Sequence, residues 1–543
     1  MNIRIFSSQD TLLAERPLPE GKGFRSLPIE RELLENAGGK LAIRFTLPIL
    51  DIHGCWAPDN FHPSTEIPWT YDFSSAANRY MPFFLWYNME GLNRAAFALT
   101  CVKDDARFFS SMSQAGYSLD MSWTISVTKE TEPFEFLVNL DDEPFPDVIA
   151  AYCRRVTPEM PVFPKGAWEP VYCTWYAAHA AYTIDFLERN ARLAKEYGFG
   201  TFILDDGWSY DTVKRLTPET CPEWFASTGS WQLSEKKLPG FQEHVKRVQA
   251  LGLNYLVWFA PILIGMGHPK FKELKERGNI VYECSDSSAA YDPADEEMKQ
   301  FTLSHFLETF QKYGFDGVKV DYIDFARANV DRPHGRAAYA YARELVERIR
   351  TIRPGALIEF RQFYATPWML PLATQFRAAD VPFDFIGNLH RCALLHIMLG
   401  DGVPAHADPI WFHPEESNVN VARHLLAALA GVPMISLELD KLSPAHAAIL
   451  KRHVAFYHAH LATFAKGHWT LRYALGCVSS LCVETDEERI VFHVSGDVKL
   501  ASGKRNLILN LSADAIRPFA GVAWSPEGEE VRGYVPLAGI GEA

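Results

Sequence analysis

One apolar run ends in Val318-Lys319-Val320-Asp321-Tyr322, which sets an ammonium group and a carboxylate two positions apart. Along a strand, residues two apart share a face, so Lys319 and Asp321 would point the same way. A neighbouring cation favours the ionised carboxylate, the form a nucleophile requires; the competing reading is a structural ion pair at a strand end. A second run ends in Ile203-Leu204-Asp205-Asp206-Gly207-Trp208, adjacent acids running into a glycine turn and an indole. Carboxylates accept sugar hydroxyls and aromatic faces pack on the apolar side of a pyranose, although one of the two aspartates could instead cap the helix that follows. A third run, Phe376-Arg377-Ala378-Ala379-Asp380, supplies another carboxylate, with Asp384 as its fallback. Two acids on opposing walls are what glycoside hydrolysis needs, one attacking the anomeric carbon and one protonating the departing oxygen.

Further polar residues gather at the ends of other apolar runs: Glu359 and Arg361, His406 and Asp408, Glu438 and Asp440. With Arg377 they are candidates for binding hydroxyls or orienting the acids. Trp175, Tyr176, Trp208, Trp231 and Trp258 are aromatic candidates, each equally at home in a core. His458 and His460 diverge around a helix, where metal ligands need spacings of three or four. Gly265-Met266-Gly267 lacks the third glycine and preceding strand of a dinucleotide loop. No metal and no cofactor are expected.

Eight short β-type runs carry these residues, near 171–176, 201–206, 254–260, 317–322, 356–361, 375–380, 403–408 and 433–438. Between them lie helical segments such as Ile184 to Ala194, with apolar residues recurring at three and four positions. Alternating β and α units imply a parallel sheet, and a count of eight favours a closed (β/α)8 TIM barrel with its chemistry at the carboxyl ends of the strands. The seventh run is the weakest, with Pro404 and Pro409 in or beside it. Residues 40–139 alternate in the manner of an antiparallel sandwich. Pro158 to Gly166 interrupts that pattern, and from about His468 alternation returns. The expected domains are an N-terminal β-sandwich over 1–165, the barrel over 166–465 and a C-terminal β-sandwich over 466–543. The turn-rich stretch Gly54 to Asp59 is expected either to border an active site, its own or a neighbour's, or to bury Trp56 in the sandwich.

A chain of 543 residues exceeds the roughly 250–300 that one core supports. Its 48% hydrophobic and 22% charged content is that of a globular protein, which excludes general disorder. A net charge of −14 argues against nucleic acid, whose phosphates demand clustered Lys and Arg. Nine cysteines without a C-x-x-C pair read as reduced thiols, and Met1 to Ser8 lacks the apolar core of a secretory signal. These features point to the cytoplasm. No run approaches the roughly 18 apolar residues of a membrane span.

The motifs resemble those of the α-galactosidase superfamily, glycoside hydrolase clan D, and family 36 in particular. The resemblance runs through Cys173-Thr174-Trp175-Tyr176, Leu204-Asp205-Asp206-Gly207-Trp208, Val257-Trp258-Phe259-Ala260-Pro261, Val318-Lys319-Val320-Asp321-Tyr322 and Gly431-Val432-Pro433-Met434-Ile435-Ser436. It implies Asp321 as nucleophile, Asp380 as acid/base, Asp205 and Asp206 as holders of the sugar's far hydroxyls, and Lys319 on a hydroxyl beside the nucleophile. It also implies oligomers. Two departures stand out: Glu359-Phe360-Arg361-Gln362-Phe363 replaces the family's cysteine- and glycine-rich turn, and Ala379 replaces the small polar residue before the acid. The wall facing the sugar's 2-position is therefore expected to differ. The resulting expectation is a retaining α-glycosidase, foremost an α-galactosidase, acting on an oligosaccharide or α-glycoside with its two carboxyl groups about 5–5.5 Å apart. The alternatives are a raffinose-synthase-like transferase, an α-glycosidase for a differently substituted sugar, and a non-catalytic sugar-binding homologue.

Overall fold

The computed structural model describes residues 1–61, 67–221, 225–474 and 477–543. Two β-sheets come first, one of six strands in the order Leu12–Pro17, Asn2–Ser7, Lys40–Pro48, Ser118–Ser126, Ala106–Ser113 and Thr70–Ser75. The other has five, in the order Arg25–Ile29, Phe134–Asn139, Asn93–Leu99, Phe83–Tyr87 and Gly54–Trp56. Alternation along Lys40–Pro48 turns Leu41, Ile43 and Phe45 inward, where they join Trp86, Phe97, Trp123 and Phe136 in one core. The sandwich begins at Asn2, earlier than the alternation from Lys40 suggested. A helix, Phe145–Val156, follows the last sandwich strand, between the alternating stretch and the proline-rich junction.

Eight parallel strands then form the central sheet: Val171–Cys173, Thr201–Leu204, Asn254–Phe259, Gly317–Val320, Leu357–Arg361, Gln375–Arg377, Ala405–His406 and Met434–Ile435. The first pairs with the eighth, Val171 opposite Met434, and isolated bridges of His406 with Val432 and Ile410 with Ile435 join the seventh to the eighth. All eight runs read from the sequence become strands, each shorter than expected. The seventh keeps only two residues, consistent with the prolines on either side.

Strand periodicity explains how the barrel changes character from floor to mouth. Val171, Cys173, Ile203, Leu256, Leu357 and Met434 pack together in one apolar layer, with Ala167 from the turn Lys165–Trp168 beside them. Two residues further along, the same inward face carries Asp205 after Ile203, Trp258 after Leu256, Asp321 after Lys319 and Arg361 after Glu359. The floor is a packed core and the mouth is charged.

The sandwich grips the loops that leave the fourth and fifth strands. Buried Asn78 donates through Nδ2 to the carbonyls of Ile323 (2.8 Å) and Ala326 (3.0 Å), and Arg79 donates to Asp324 O (3.1 Å). Tyr80 N donates to Phe363 O, and Trp368 Nε1 to Ala77 O. Asp105 accepts the N–H groups of Asn329, His334 and Gly335, satisfying donors at the start of helix Gly335–Ile352.

A seven-stranded sheet closes the chain, from His468–Ala474 to Ile540–Glu542, with Glu488–His493 parallel to Arg505–Asn510 and its other pairings antiparallel. All nine cysteines are free thiols. Among the described residues no helix is long and apolar enough to cross a membrane.

Candidate active site

A small pocket opens at the carboxyl ends of the strands, lined by Trp175, Asp205, Asp206, Phe225, Trp258, Lys319, Asp321, Tyr322, Arg377 and Asp380. It brings acids from the second, fourth and sixth strands together. Asp321 Oδ2 accepts from Trp258 Nε1 (3.2 Å), while Oδ1 accepts from Tyr322 N (3.1 Å) and Arg361 Nη1 (3.0 Å). Tyr322, at φ 59°, sits in the left-handed region, so the chain turns sharply right after the carboxylate.

Lys319 makes its ion pair with Asp205, Nζ to Oδ2 at 2.6 Å, and not with Asp321 as the two-residue spacing suggested. The second and fourth strands flank the third, and alternate strands of such a barrel send their inward side chains to one layer, so Asp205 reaches the lysine. Burial disfavours the ammonium, but the Asp205 carboxylate outweighs it and holds the lysine firmly charged. Asp206 is buried as well, and burial pushes its carboxyl up to about 7 against the Tyr210 hydroxyl that donates to Oδ2 (2.9 Å). Gly207, at φ 104°, makes the turn after this pair, and a Cβ there would lie 2.8 Å from that of Ala180.

The fifth to seventh strands build a different wall. Arg361 spans the two acids, one η nitrogen on Asp321 and the other on Asp380 Oδ2. Arg377 Nη1 donates to Asp380 Oδ1 (2.9 Å) and to Asp408 Oδ1 (2.5 Å). Burial works to raise Asp380, but the guanidinium groups of Arg361 and Arg377 overcome it and hold the carboxyl well below its ordinary range. Asp408, fully buried, goes the other way: burial raises it to about 7 despite Arg377. Behind them His406 Nδ1 lies 3.3 Å from Glu359 Oε2, and its Nε2 meets Ala167 O at 2.7 Å.

Three expectations are corrected here. Trp208 is buried behind the pocket, donating from Nε1 to Trp258 O (2.9 Å) and packing on Trp231, so it cannot offer a face to a sugar. Asp384 caps helix Phe385–Leu399 through Gly387 N and stands outside the pocket lining. Glu438 pairs with Arg215 and Lys441 and is also outside the pocket lining. Trp56 is buried against Phe83 in the core that continues into the barrel, while its neighbours Cys55 and Ala57 face the sandwich core. His458 meets Gly198 O, and His460 meets Glu488.

A family model described as Melibiase matches residues 165–276, the stretch from the barrel floor through the third strand. An α-galactosidase of Escherichia coli is 28% identical over 123 residues, 22% of this chain and 16% of that protein. The bifunctional α-galactosidase/sucrose kinase AgaSK of Mediterraneibacter gnavus is 24% identical over 205 residues, 34% of this chain and 20% of its own. The matched stretches thus span a fifth or less of those relatives. Among solved structures, a variant of the GH36 α-galactosidase AgaA from Geobacillus stearothermophilus in complex with stachyose has TM-score 0.66 at 14% identity, covering 99% of this chain and 88% of its own. TtGalA, an α-galactosidase of Thermus thermophilus in complex with p-nitrophenyl α-D-galactopyranoside, has TM-score 0.59 at 16% identity, covering 89% and 95%.

The chain is similar to the Melibiase family over residues 165–276, about a fifth of its length. Its architecture, sandwich, barrel and C-terminal β domain, is GH36-like. Within the barrel, two pocket residues escaped the sequence reading. Phe225 sits on the long connection after the second strand, where nothing in composition singles it out. Tyr322 follows the nucleophile candidate directly, and its place beside Asp321 was the available signal.

Proposed function

We propose that this protein is a retaining α-glycosidase, foremost an α-galactosidase, acting on terminal α-linked sugars of oligosaccharides or other α-glycosides. The observation that carries this reading is the convergence of Asp321 and Asp380, from the fourth and sixth strands, on one small pocket that also holds Asp205 and Asp206. In the first step Asp321 attacks the anomeric carbon as the aglycone oxygen departs. In the second, Asp380 takes a proton from water, whose oxygen displaces Asp321. A single guanidinium touches both carboxylates, which fits the closer spacing of retaining enzymes better than the wider gap that accommodates a bound water.

Asp205, Asp206 and Lys319 would hold hydroxyls on the far side of the ring, with Trp175 and Trp258 against its faces and Arg377 steadying Asp380. A panel of aryl α-glycosides, with the anomer of the first product followed by NMR, tests the reading. An α-anomer from an α-galactoside is expected. Release of the β-anomer, or full activity in an Asp321→Ala variant, would overturn it.

A further inference from the structure

Asp380 is held in place from several sides. Arg391 Nη1 donates to its carbonyl, Gln362 Oε1 accepts from Ala379 N (2.9 Å) and Asp408 Oδ2 accepts from Val381 N (2.7 Å). Its carboxylate oxygens each receive a guanidinium, Oδ2 from Arg361 and Oδ1 from Arg377. Only the side toward the mouth is open, where the side chain is 45% exposed. Arg361 is itself 9% exposed, with its guanidinium over the rings of Tyr322 (5.3 Å) and Phe363 (5.0 Å), so packing keeps it between the two acids.

This arrangement opposes the half of a double displacement in which Asp380 must arrive protonated. A carboxylate that accepts two cationic donors is held ionised and weakly basic, and a proton on either oxygen would face a guanidinium. Glycosylation of Asp321 breaks the bond between the anomeric carbon and the aglycone oxygen, and the electron pair stays on that oxygen. A sugar alkoxide must be protonated as it leaves; a phenolate or another stabilised anion need not be. Positioned acid catalysis contributes about 10²–10⁴-fold where it operates.

We infer that Arg361, by bridging Asp321 and Asp380, is a specificity-determining residue that selects aglycones able to depart as stable anions over those that depart as alkoxides. The inference rests on the double-displacement reading above. On a stabilised aglycone, Asp321 forms its bond to the anomeric carbon while the aglycone leaves as an anion and takes its proton from solvent. A water hydrogen-bonded to the ionised Asp380 then attacks the anomeric carbon, the bond to Asp321 breaks and frees its carboxylate, and the water's proton passes to solvent.

The test is kcat/KM, which reports the glycosylation step, for aryl α-galactosides from strongly to weakly acidic phenols and for raffinose, using the parent protein, Arg361→Met and Arg361→Lys. The parent rate is expected to fall steeply along the series, with raffinose about 10²-fold or more below the nitrophenyl substrate, the contribution of the missing acid. In Arg361→Met the gap should narrow at least about tenfold, and Arg361→Lys, charged but unable to span both acids, should fall between. A flat series in the parent, or a variant that slows every substrate by one factor, overturns the inference. A flat parent series overturns the inference without any variant, and where thermal unfolding shows that Arg361→Met fails to fold, Arg361→Lys carries the comparison: an unchanged gap in it overturns the inference. A flat series together with loss of cleavage in Asp321→Ala sinks this inference and leaves the functional reading standing. A parent protein that cleaves no member of the series removes both.

Discussion

The two walls of the pocket solve the same electrostatic problem in different ways. On the side of the second to fourth strands, one lysine serves one aspartate, Lys319 on Asp205, while Asp206 is left buried with a tyrosine hydroxyl and a raised proton affinity. On the side of the fifth to seventh strands, two arginines are shared among Asp321, Asp380 and Asp408, with Glu359 within 3.8 Å of Arg377. A point charge on a flexible stem satisfies one partner; a planar fork can satisfy two or three at once. The first wall therefore has a local, separable pairing, and the second is a network whose members set one another's charge. The paired aspartates and the lysine motif through which the sequence resembles the α-galactosidase superfamily lie on the first wall, and the departures from that pattern, Glu359 to Phe363 and Ala379, on the second.

The largest effect expected from breaking this contrast comes from Asp321, which belongs to both walls. Asp321→Asn should lower kcat/KM on a nitrophenyl α-galactoside on the order of 10⁴-fold, ~5 kcal/mol of barrier, measured by steady-state kinetics. Asp205→Ala comes next. It strands Lys319, 6% exposed, without its partner, and removing one member of a buried pair costs about 3–5 kcal/mol. Denaturant unfolding followed by fluorescence should show this loss, and Asp205→Ala with Lys319→Met should recover part of it. If the single variant unfolds like the parent, the pairing is not separable in the sense drawn above.

Asp206 gives a pH signature. Its carboxyl binds a proton more tightly in the folded protein, about 7 against an ordinary 3.8, because burial opposes the charge. Such a group contributes its full stability below the unfolded value and loses it as pH rises through the folded one. Asp206→Asn, which stays neutral throughout, should thus gain in Tm relative to the parent as pH goes from about 4 to about 7. A constant difference across that range would remove the raised affinity. The smallest effect is expected at Asn78, whose amide clasps the loop after Asp321 from the neighbouring sandwich. Asn78→Ala should cost about 1–3 kcal/mol for carbonyls left without a donor and reduce kcat more than it changes KM, as loosened positioning of Asp321 would.

The site was legible where chemistry is written along single strands. Lys319 and Asp321 share a face because of strand geometry, and Asp205 and Asp206 run into a glycine that allows their turn, so both clusters could be placed at a mouth before any fold was known. Trp208 misled because an indole after an acidic pair looks the same whether it faces a ligand or a core; burial against Trp231 decided it. Asp384 misled in a milder way, since a helix cap and an acid are both aspartates at the end of a strand. The helix Phe145–Val156 was hidden because it follows directly on a sandwich strand and is led in by prolines.

By itself the order of residues determined the eight-strand alternation, the apolar floor and the charged mouth, because periods of two and of three to four are properties of the chain. Which charges meet across the barrel was decided only by closure. Lys319 lies 114 residues from Asp205, and Arg361 lies 40 from Asp321 and 19 from Asp380. No local rule links partners so far apart; the tilt and proximity of neighbouring strands set those distances, and with them the charge that each acid carries.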